Sequence, residues 1–321
     1  MFRLRALIAS LLALLALLAF PASAQQKLVS ILATGSEQTA DIIRDGIRDG
    51  MKAAGLAEGK TLRIQFFNAG DDDDTLRRAA RKFVIDRSDV IIGIGREAAR
   101  AAADATRQIP VVFVGVDDPF EAGLVTSLAA SGTNVTGVLG QLSAARQIEL
   151  IRQLVPGARR IGVLYGAGQA SSIREIRSLQ DAGAKNAAVV LDVAVARPID
   201  VGSAARSLIG KVDVLFTLVD PVVTRSFAAV VKVANDARIP LIATDPAGAT
   251  VGATATFFVS SRDLGLQSGR MALRILRGVR ISGIAPEIVS RPQFIINPVA
   301  AGRQGVTLSE SVLKNATQVL K

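Results

Sequence analysis

Short uninterrupted runs of Val, Ile and Leu alternate along this chain with longer segments whose apolar residues recur at helical spacing. A fully apolar run is typical of a strand that helices cover on both faces, and regular strand–helix alternation favours a parallel sheet. The predicted fold class is therefore α/β, with doubly wound, Rossmann-like sheets. We predict strands near residues 28–33, 62–67, 90–94, 111–116, 135–139, 161–165, 188–194, 213–219, 240–244 and 253–259.

The sequence contains this pattern twice, at a spacing of roughly 125 to 132 residues. The strand, glycine loop and helix of residues 27–56 return at 159–184. Residues 88–119 return at 212–246, and both copies end in Ile-Pro, a strand and Asp-Pro. This period is too long for a solenoid and indicates two similar lobes. Right-handed crossovers place the strand-to-helix loops at the carboxyl edge of each sheet, so two facing lobes enclose a cleft.

The amphipathic segment 264–278 follows the second series of strands and is predicted as a helix that ends at Gly278. Its position predicts that the chain returns to the first lobe there, before the C-terminal stretch packs on the second. The first lobe is expected to contain residues 25–140 plus 262–284, and the second 141–261 plus 285–321. The chain would then cross between the lobes at a three-crossing hinge, near residues 140, 261 and 285.

The first 24 residues have the organisation of a secretory signal peptide. A short basic start, Met1–Arg5, precedes an apolar run, Ala6–Phe20, which ends in the small residues 22–24. The run is shorter than the roughly 20 apolar residues that span a bilayer, and no lipid-accepting cysteine follows it. We expect cleavage near Ala24/Gln25 and a soluble, periplasmic protein.

Charge and residue usage narrow the possible functions. Removal of Arg3 and Arg5 with the signal lowers the net charge from +10 to +8. Lys and Arg are scattered and aromatic residues make up only 4%, so nucleic-acid binding is not expected. The sequence has no histidine and no cysteine, which removes the imidazole base, the thiolate nucleophile and the commonest metal ligands. We therefore expect neither an enzyme nor a bound metal ion or cofactor.

Two glycine loops follow predicted strands, one in each lobe, at residues 93–95 and 166–168. Paired glycines also open dinucleotide-binding loops, but an isolated match is a weak signal, and the second loop lacks the acid expected at the end of the next strand. Both loops expose backbone N–H groups at helix N-termini, which suits a ligand carboxylate. Arg96 is placed to bind the same carboxylate, and Ser171 and Ser172 follow the second loop.

Aspartates at the carboxyl ends of strands are candidates to bind the ammonium group of the same ligand. Asp118, Asp220 and Asp245 occupy such positions, and Asp117 directly precedes the first of them. Each position also has a structural explanation, because an aspartate at a strand-to-helix junction often caps the helix. The residues alone leave the two interpretations equally open.

Longer segments resemble one protein family. They are spread over essentially the whole mature chain and read GIRDGMKAAGL (46–56), NAGDD (68–72), DDPFEAGLV (117–125), NVTGV (134–138), QIELIRQLVPGARRIGVLY (147–165), VANDARIPLIATD (233–245), LGLQSGRMALRILRG (264–278) and NPVAAGRQGVTLSESVL (297–313). Together they make the chain similar to the periplasmic substrate-binding proteins of ABC transporters, in the subfamily whose studied members take up tryptophan and other aromatic amino acids. The resemblance implies a type I periplasmic binding protein, a two-lobed clamshell that closes over one small molecule and delivers it to a membrane permease.

The resemblance also implies a set of ligand-binding positions. They map onto Ser36, Gly95, Arg96, Glu97, Asp117, Asp118, Gln169, Ser171, Ser172, Asp220 and Asp245. The chain departs from the family pattern at three places. Residues 37–38 are Glu-Gln where the family has His-Pro, Pro221 replaces an asparagine, and residues 260–262 replace an aspartate followed by two aromatic residues. These replacements predict fewer aromatic contacts with the ligand than the family usually provides.

The leading hypothesis is a monomeric solute-binding component of an ABC importer. It would bind a small zwitterion or carboxylate, such as an amino acid or a derivative, and serve an inner-membrane permease. Ligand contacts with both lobes would shift a hinge equilibrium toward the closed state. The alternative is a periplasmic ligand-sensing module for a membrane receptor or kinase. Both hypotheses predict the same cleft, so both remain open at the level of the sequence.

Overall fold

The computed structural model describes residues 26–53, 55–70, 72–130, 132–289 and 292–321, so the expected signal peptide lies outside the described residues. The described residues form two mainly parallel sheets with helices on both faces, which confirms the predicted α/β fold class. Each predicted strand is present within about two residues of its expected bounds. Among the described helices, none has the length and apolar character needed to cross a membrane.

The first lobe contains one sheet with the strand order β11-β5-β4-β3-β1-β2, all of whose pairs are parallel. Its strands are β1 (Lys27–Ala33), β2 (Leu62–Asn68), β3 (Val90–Ile94), β4 (Val111–Val116), β5 (Val135–Leu139) and β11 (Glu287–Ile288). Its helices are α1 (Glu37–Lys52), α2 (Asp73–Ile85), α3 (Arg96–Ala105) and α10 (Ser261–Leu276), with a short 3-10 helix at Ile281–Gly283.

The second lobe contains a sheet with the order β13-β12-β10-β9-β8-β6-β7, in which only the β10–β12 pair is antiparallel among the described strands. Its strands are β6 (Arg160–Gly166), β7 (Val189–Val195), β8 (Val214–Thr217), β9 (Leu241–Ala243), β10 (Ala255–Phe258), β12 (Gln293–Ile296) and β13 (Gln318–Val319). Its helices are α4 (Ala144–Leu154), α5 (Ala170–Lys185), α6 (Val201–Leu208), α7 (Pro221–Thr224), α8 (Phe227–Ala237), α9 (Gly248–Val251), α11 (Pro298–Arg303) and α12 (Glu310–Asn315), with a 3-10 helix at Pro198–Asp200.

The two sheets share one strand order, which is the structural counterpart of the sequence repeat. Counted within each lobe, the strands run second, first, third, fourth, fifth. In such a sheet the connections after the first and third strands lead to opposite faces, and ligands bind outside the carboxyl ends of the strands at this point. The loops after β1 and β3, and after β6 and β8, therefore lie where a ligand site is expected.

Strand β11 lies beyond the expected lobe boundary at residue 284 and belongs to the first sheet. Helix α10 packs along α1 in the first lobe, and β11 pairs with β5, with Glu287 opposite Val138. A two-residue strand has no hydrophobic run that sequence analysis could detect, so only the pairing reveals it. We propose that the first lobe comprises residues up to 140 plus 262–288, and that the second comprises 141–261 plus the segment from Gln293 onward.

Helices α1 and α10 approach closely because glycines face each other along the contact. A Cβ added at Gly265 would lie 2.2 Å from the carbonyl oxygen of Ile43, and one at Gly50 would lie 2.5 Å from that of Leu266. Glycine at these positions is what allows the two backbones to touch. The pattern of glycines four residues apart occurs on both helices, at Gly46, Gly50, Gly265 and Gly269.

The C-terminal stretch is fixed to the second sheet by Gln304, whose side chain is completely buried. Its Oε1 accepts hydrogen bonds from the backbone N–H of Leu241 at 3.0 Å and the hydroxyl of Thr254 at 2.7 Å. Its Nε2 donates to Oδ1 of Asn235 at 3.0 Å and to the carbonyl of Gly252 at 2.8 Å. The oxygen and the nitrogen of the amide thus each make two hydrogen bonds. This part of the family-like segment 297–313 therefore has a structural role.

Candidate functional site

A cavity of about 830 Å³ lies between the carboxyl edges of the two sheets. Its first-lobe wall comes from the N-terminus of α3 and from the loops after β4 and β5. Its second-lobe wall comes from α5 and from the ends of β9 and β10. This volume lies within the range of roughly 300 to 1,000 Å³ that is common for small-molecule sites.

Arg96 and Glu97 line the cavity in the first turn of α3. The turn begins at Gly95, whose φ of +88° is in the left-handed region, and a Cβ there would lie 2.8 Å from Oγ1 of Thr34. The Arg96 guanidinium lies 3.9 Å from carboxylate oxygens of Glu97 and Glu121, which is too far for hydrogen bonds. It is therefore available to a ligand anion beside a helix N-terminus.

Two adjacent aspartates after β4 line the cavity and differ in their contacts. Oδ1 of Asp118 accepts hydrogen bonds from the backbone N–H groups of Phe120 at 3.0 Å and Glu121 at 2.9 Å, so Asp118 shapes its own loop. Asp117 packs against Gly140, where a Cβ would lie 2.4 Å from its Oδ1. Solvent still reaches Asp117 in the cleft, but partial burial raises its pKa. The guanidinium at the start of α3 opposes this rise, and the negative charge of the neighbouring aspartate adds to it.

In the second lobe, Asp220 ties the glycine loop after β6 to helix α7. Its Oδ2 accepts hydrogen bonds from the backbone N–H of Gly166 at 2.8 Å and from the hydroxyl of Ser172 at 2.7 Å. Its Oδ1 accepts from two backbone N–H groups of α7 at 2.9 and 3.2 Å. Asp220 is completely buried and Ser172 nearly so, whereas Ser171 is exposed to the cavity.

The eleven predicted site residues divide into two groups. Those that line the cavity are Arg96, Glu97, Asp117, Asp118, Ser171 and Ser172, and those outside its lining are Ser36, Gly95, Gln169, Asp220 and Asp245. Ser36 caps α1 by accepting the N–H of Thr39, and Asp245 accepts the N–H of Ala247. Gln169 precedes α5 without a side-chain cap. Ligand contact by any of the eleven stays a prediction.

Beyond its first turn, α5 lines the cavity with residues that are not among the predicted site positions. Arg174, Glu175 and Ser178 lie there. Glu175 follows Ser171 by four positions, and residues at that spacing share one face of a helix. Helical spacing from the predicted serine was therefore the signal that could have found it.

Glu175 is held by a buried glutamine. Nε2 of Gln147 donates to Oε1 of Glu175 at 3.0 Å and to the carbonyl of Leu142 at 3.2 Å. Burial raises the pKa of Glu175, the hydrogen bond from Gln147 opposes this, and the charge of Asp117 on the other lobe adds to the rise. Gln147 is only 3% exposed, and among the described residues its Oε1 has no hydrogen-bond partner.

One ion pair joins α5 to the first lobe beside the cavity. The Arg174 guanidinium lies 3.0 Å from a carboxylate oxygen of Glu121 in the loop after β4. Both side chains remain about 40% exposed, so the pair contributes no more than about 1 kcal/mol to stability. Arg174 is therefore paired with Glu121, and the neighbouring Glu175 is hydrogen-bonded to Gln147 instead.

Apolar side chains form much of the remaining wall. They include Phe120, Leu128, Leu142, Val219, Phe258 and Ile288. Phe257 also lines the cavity, and its ring stacks on that of Phe216 with centroids 5.7 Å apart. Apolar side chains interspersed with charged groups are typical of a site that holds the carbon skeleton of a small ligand and orients its polar ends.

Comparisons with known proteins agree over nearly the whole described chain. Residues 28–320 match the family described as ABC transporter substrate binding protein. A tyrosine-binding protein of Clostridioides difficile (strain R20291) is 34% identical over 275 residues, which cover 86% of this chain and 80% of the relative. A leucine-binding protein, LivK, from Thermotoga maritima shares the fold alone, at 14% identity and a TM-score of 0.53 over 78% of this chain and 83% of its own.

Two solved structures are similar in both sequence and fold. The ligand-free, open structure of a substrate-binding protein with adhesive properties from Clostridium difficile has a TM-score of 0.80 at 30% identity, over 92% of this chain and 99% of its own. An ABC domain from Streptococcus pneumoniae in complex with L-Trp has a TM-score of 0.64 at 29% identity, over 92% of this chain and 100% of its own.

Proposed function

Because the chain belongs to the family of ABC transporter substrate-binding proteins, we propose that it binds an amino acid between its lobes and delivers it to an inner-membrane permease. The observation that carries the proposal is the charge arrangement of the cavity. Arg96 stands at a helix N-terminus, where a ligand carboxylate is favoured, and several carboxylates that line the same cavity can accept hydrogen bonds from an ammonium group. The relative described as a tyrosine-binding protein and the similar domain in complex with L-Trp support the same ligand class.

Binding would act on the hinge between the lobes. The cavity walls come from both lobes, so a ligand makes its full set of contacts only when the lobes approach each other. A ligand that contacts the closed form better shifts the equilibrium toward it by its differential affinity.

The proposed setting follows from the family and from the start of the sequence. Residues 1–24 would export the chain and be removed near Ala24/Gln25, which leaves a periplasmic protein that works as a monomer. Its partners would be the small-molecule ligand and the permease, with no nucleic acid. Substrate-binding proteins carry their ligand unchanged, so we propose no enzymatic role. Membership of this family favours transport over the sensing alternative.

A ligand screen on the mature protein tests the binding proposal. We expect one or a few L-amino acids to raise the unfolding temperature, because a ligand at 100 times its Kd stabilises the native state by about 2.7 kcal/mol. The matching amine without a carboxylate and the matching acid without an ammonium group serve as controls, and both should bind far more weakly. A screen of all common amino acids that yields no stabilisation contradicts the proposal.

Uptake measurements separate transport from sensing. Deletion of the gene should abolish high-affinity uptake of the amino acid found in the screen, and re-expression should restore it. Unchanged uptake in the deletion strain, together with tight binding in vitro, would instead support the sensing alternative.

A further inference from the structure

We propose that Glu175 and Gln147, with Asp117 opposite them, form a subsite for a cationic group on the ligand's side chain. The preferred ligand would then be an amino acid with a basic side chain, ending in an ammonium or a guanidinium group. This inference rests on the proposed function and specifies its substrate class.

The first observation is the charge of the cavity. Five carboxyl side chains line it, and only the guanidinium groups of Arg96 and Arg174 accompany them. The acidic side chains are Glu97, Asp117, Asp118, Glu121 and Glu175. The chain as a whole carries a net charge of +10, so the cavity is acidic in an otherwise basic protein. A zwitterion alone would leave this excess of negative charge without a counter-charge.

The second observation is that Glu175 receives no ionic partner from the described residues. Its side chain accepts a hydrogen bond from the neutral amide of Gln147, and its strongest charged neighbour is another carboxylate, Asp117. The adjacent Arg174 is paired with Glu121 on the opposite lobe. A carboxylate that is partly buried without a cation is costly, and a ligand cation supplies the missing charge.

The third observation is that a neutral amide holds the Glu175 carboxylate in place. Gln147 lines the cavity and is almost fully buried, yet its Oε1 has no hydrogen-bond partner within the described part of the chain. That oxygen is enclosed by protein, and it is the Nε2 atom of the same amide that contacts Glu175. Gln147 therefore positions the Glu175 carboxylate at the cavity without neutralising it, and an ammonium with three donors, or a guanidinium with five, supplies the counter-charge there.

The rest of the cavity fits the remainder of such a ligand. Arg96 can bind the α-carboxylate, and apolar side chains such as Leu142 and Phe258 can pack against the methylene groups of a lysine or arginine side chain. The side-chain cation would contact α5 and the α-carboxylate would contact α3, so one ligand would join the two lobes. This arrangement explains why the acidic residues come from both lobes.

Titration calorimetry with matched pairs of amino acids tests the subsite on the mature protein. The pairs are L-lysine against L-norleucine and L-arginine against L-citrulline, in which only the side-chain cation changes. We expect the cationic member of at least one pair to bind at least about tenfold more tightly, since hydrogen bonds to charged groups contribute more than neutral ones. Which pair shows it distinguishes an ammonium from a guanidinium site.

The variant Glu175→Gln should reduce that discrimination to about threefold or less, while binding of the neutral member changes little. Glu149→Gln is the matched control, because Glu149 lies on α4 in an exposed ion pair with Arg146 and outside the cavity lining. It should bind as the parent does. Equal discrimination in Glu175→Gln and the parent would overturn the role of Glu175.

The two proposals fail in different ways. Binding of L-tyrosine, L-tryptophan, L-leucine or L-norleucine that exceeds binding of both L-lysine and L-arginine overturns the cationic subsite and leaves amino acid binding intact. Absence of binding by every amino acid tested contradicts the proposed function itself.

Discussion

The hydroxyl of Ser172 donates a hydrogen bond of 2.7 Å to the buried carboxylate of Asp220. The same carboxylate accepts three backbone N–H groups, one from Gly166 in the glycine loop and two from helix α7. Asp220 therefore joins the loop after β6, the start of α5 and the segment after β8. The exposed serine beside it, Ser171, owes its place at the cavity to this anchor.

Replacement of Asp220 by alanine should destabilise the second lobe. Four donors, three of them in buried hydrogen bonds, would lose their acceptor, so we expect the free energy of unfolding to fall by about 3 kcal/mol, compared with about 1 kcal/mol for Ser172→Ala. Urea unfolding measures both. Asp245→Ala is the control, because Asp245 accepts the N–H of Ala247 and is partly exposed, and it should cost about 1 kcal/mol. Equal losses for the two aspartates would contradict the anchoring role.

Replacement of Gly265 by alanine should weaken the contact between α1 and α10. The new methyl would lie 2.2 Å from the carbonyl oxygen of Ile43, so the helices must separate, and we expect a loss of about 1 to 3 kcal/mol. Gly302→Ala provides the control, since it is also helical and a Cβ there meets no atom within 4 Å. That variant should be unchanged or more stable by up to about 1 kcal/mol. Thermal and chemical unfolding check both variants.

Replacement of Arg96 by alanine should weaken amino acid binding without unfolding the protein. Loss of a charged hydrogen-bond donor to the ligand carboxylate costs about 1.5 to 3 kcal/mol, or roughly 10- to 100-fold in Kd. Arg96→Lys keeps the charge but loses the two-pronged geometry, so its affinity should be intermediate. Arg77→Ala removes an exposed arginine of α2 outside the cavity lining and should leave Kd unchanged. Calorimetry with the ligand from the screen distinguishes these outcomes.

The stability of the unliganded protein should depend on pH through Glu175. Burial raises its pKa above the ordinary value of 4.5, so the folded state holds this proton more tightly than the unfolded chain. The contribution of Glu175 to stability is fully present below pH 4.5 and is lost as pH rises through the raised pKa. We expect Glu175→Gln to gain stability relative to the parent as pH increases across this window. A constant difference between the two proteins from pH 4 to 7 would contradict the raised pKa.

The fold was predictable because its signal is local. Runs such as Val90–Ile94 and Val111–Val116 are buried on both faces, and burial on both faces requires an unbroken apolar sequence. The amphipathic pattern at 264–278 likewise predicted the helix found at Ser261–Leu276. The short strand Glu287–Ile288 was not predictable, because two half-buried residues carry no periodicity.

The site was predictable only in part. Sequence spacing identified Arg96, Asp117 and Ser171, because loops at the carboxyl ends of parallel strands meet at one edge of a sheet, and all three line the cavity. Asp220 and Asp118 occupy equivalent positions in the sequence, although Asp220 is buried and Asp118 lines the cavity. Two of the partners that hold Asp220, Ser172 and Gly166, lie 48 and 54 residues away, and no local sequence pattern indicates them.

By itself, then, the sequence determined the α/β class, the duplicated lobe and the position of a cleft, since strand burial, helix periodicity and glycine loops all act between neighbours along the chain. Only the tertiary structure decided which polar groups face that cleft. It brought Asp117 from one lobe near Glu175 and Gln147 from the other, and it placed Asp220 inside the second lobe. The physical reason is that charge and hydrogen bonding act through space, and the distances involved are set by how helices and sheets pack.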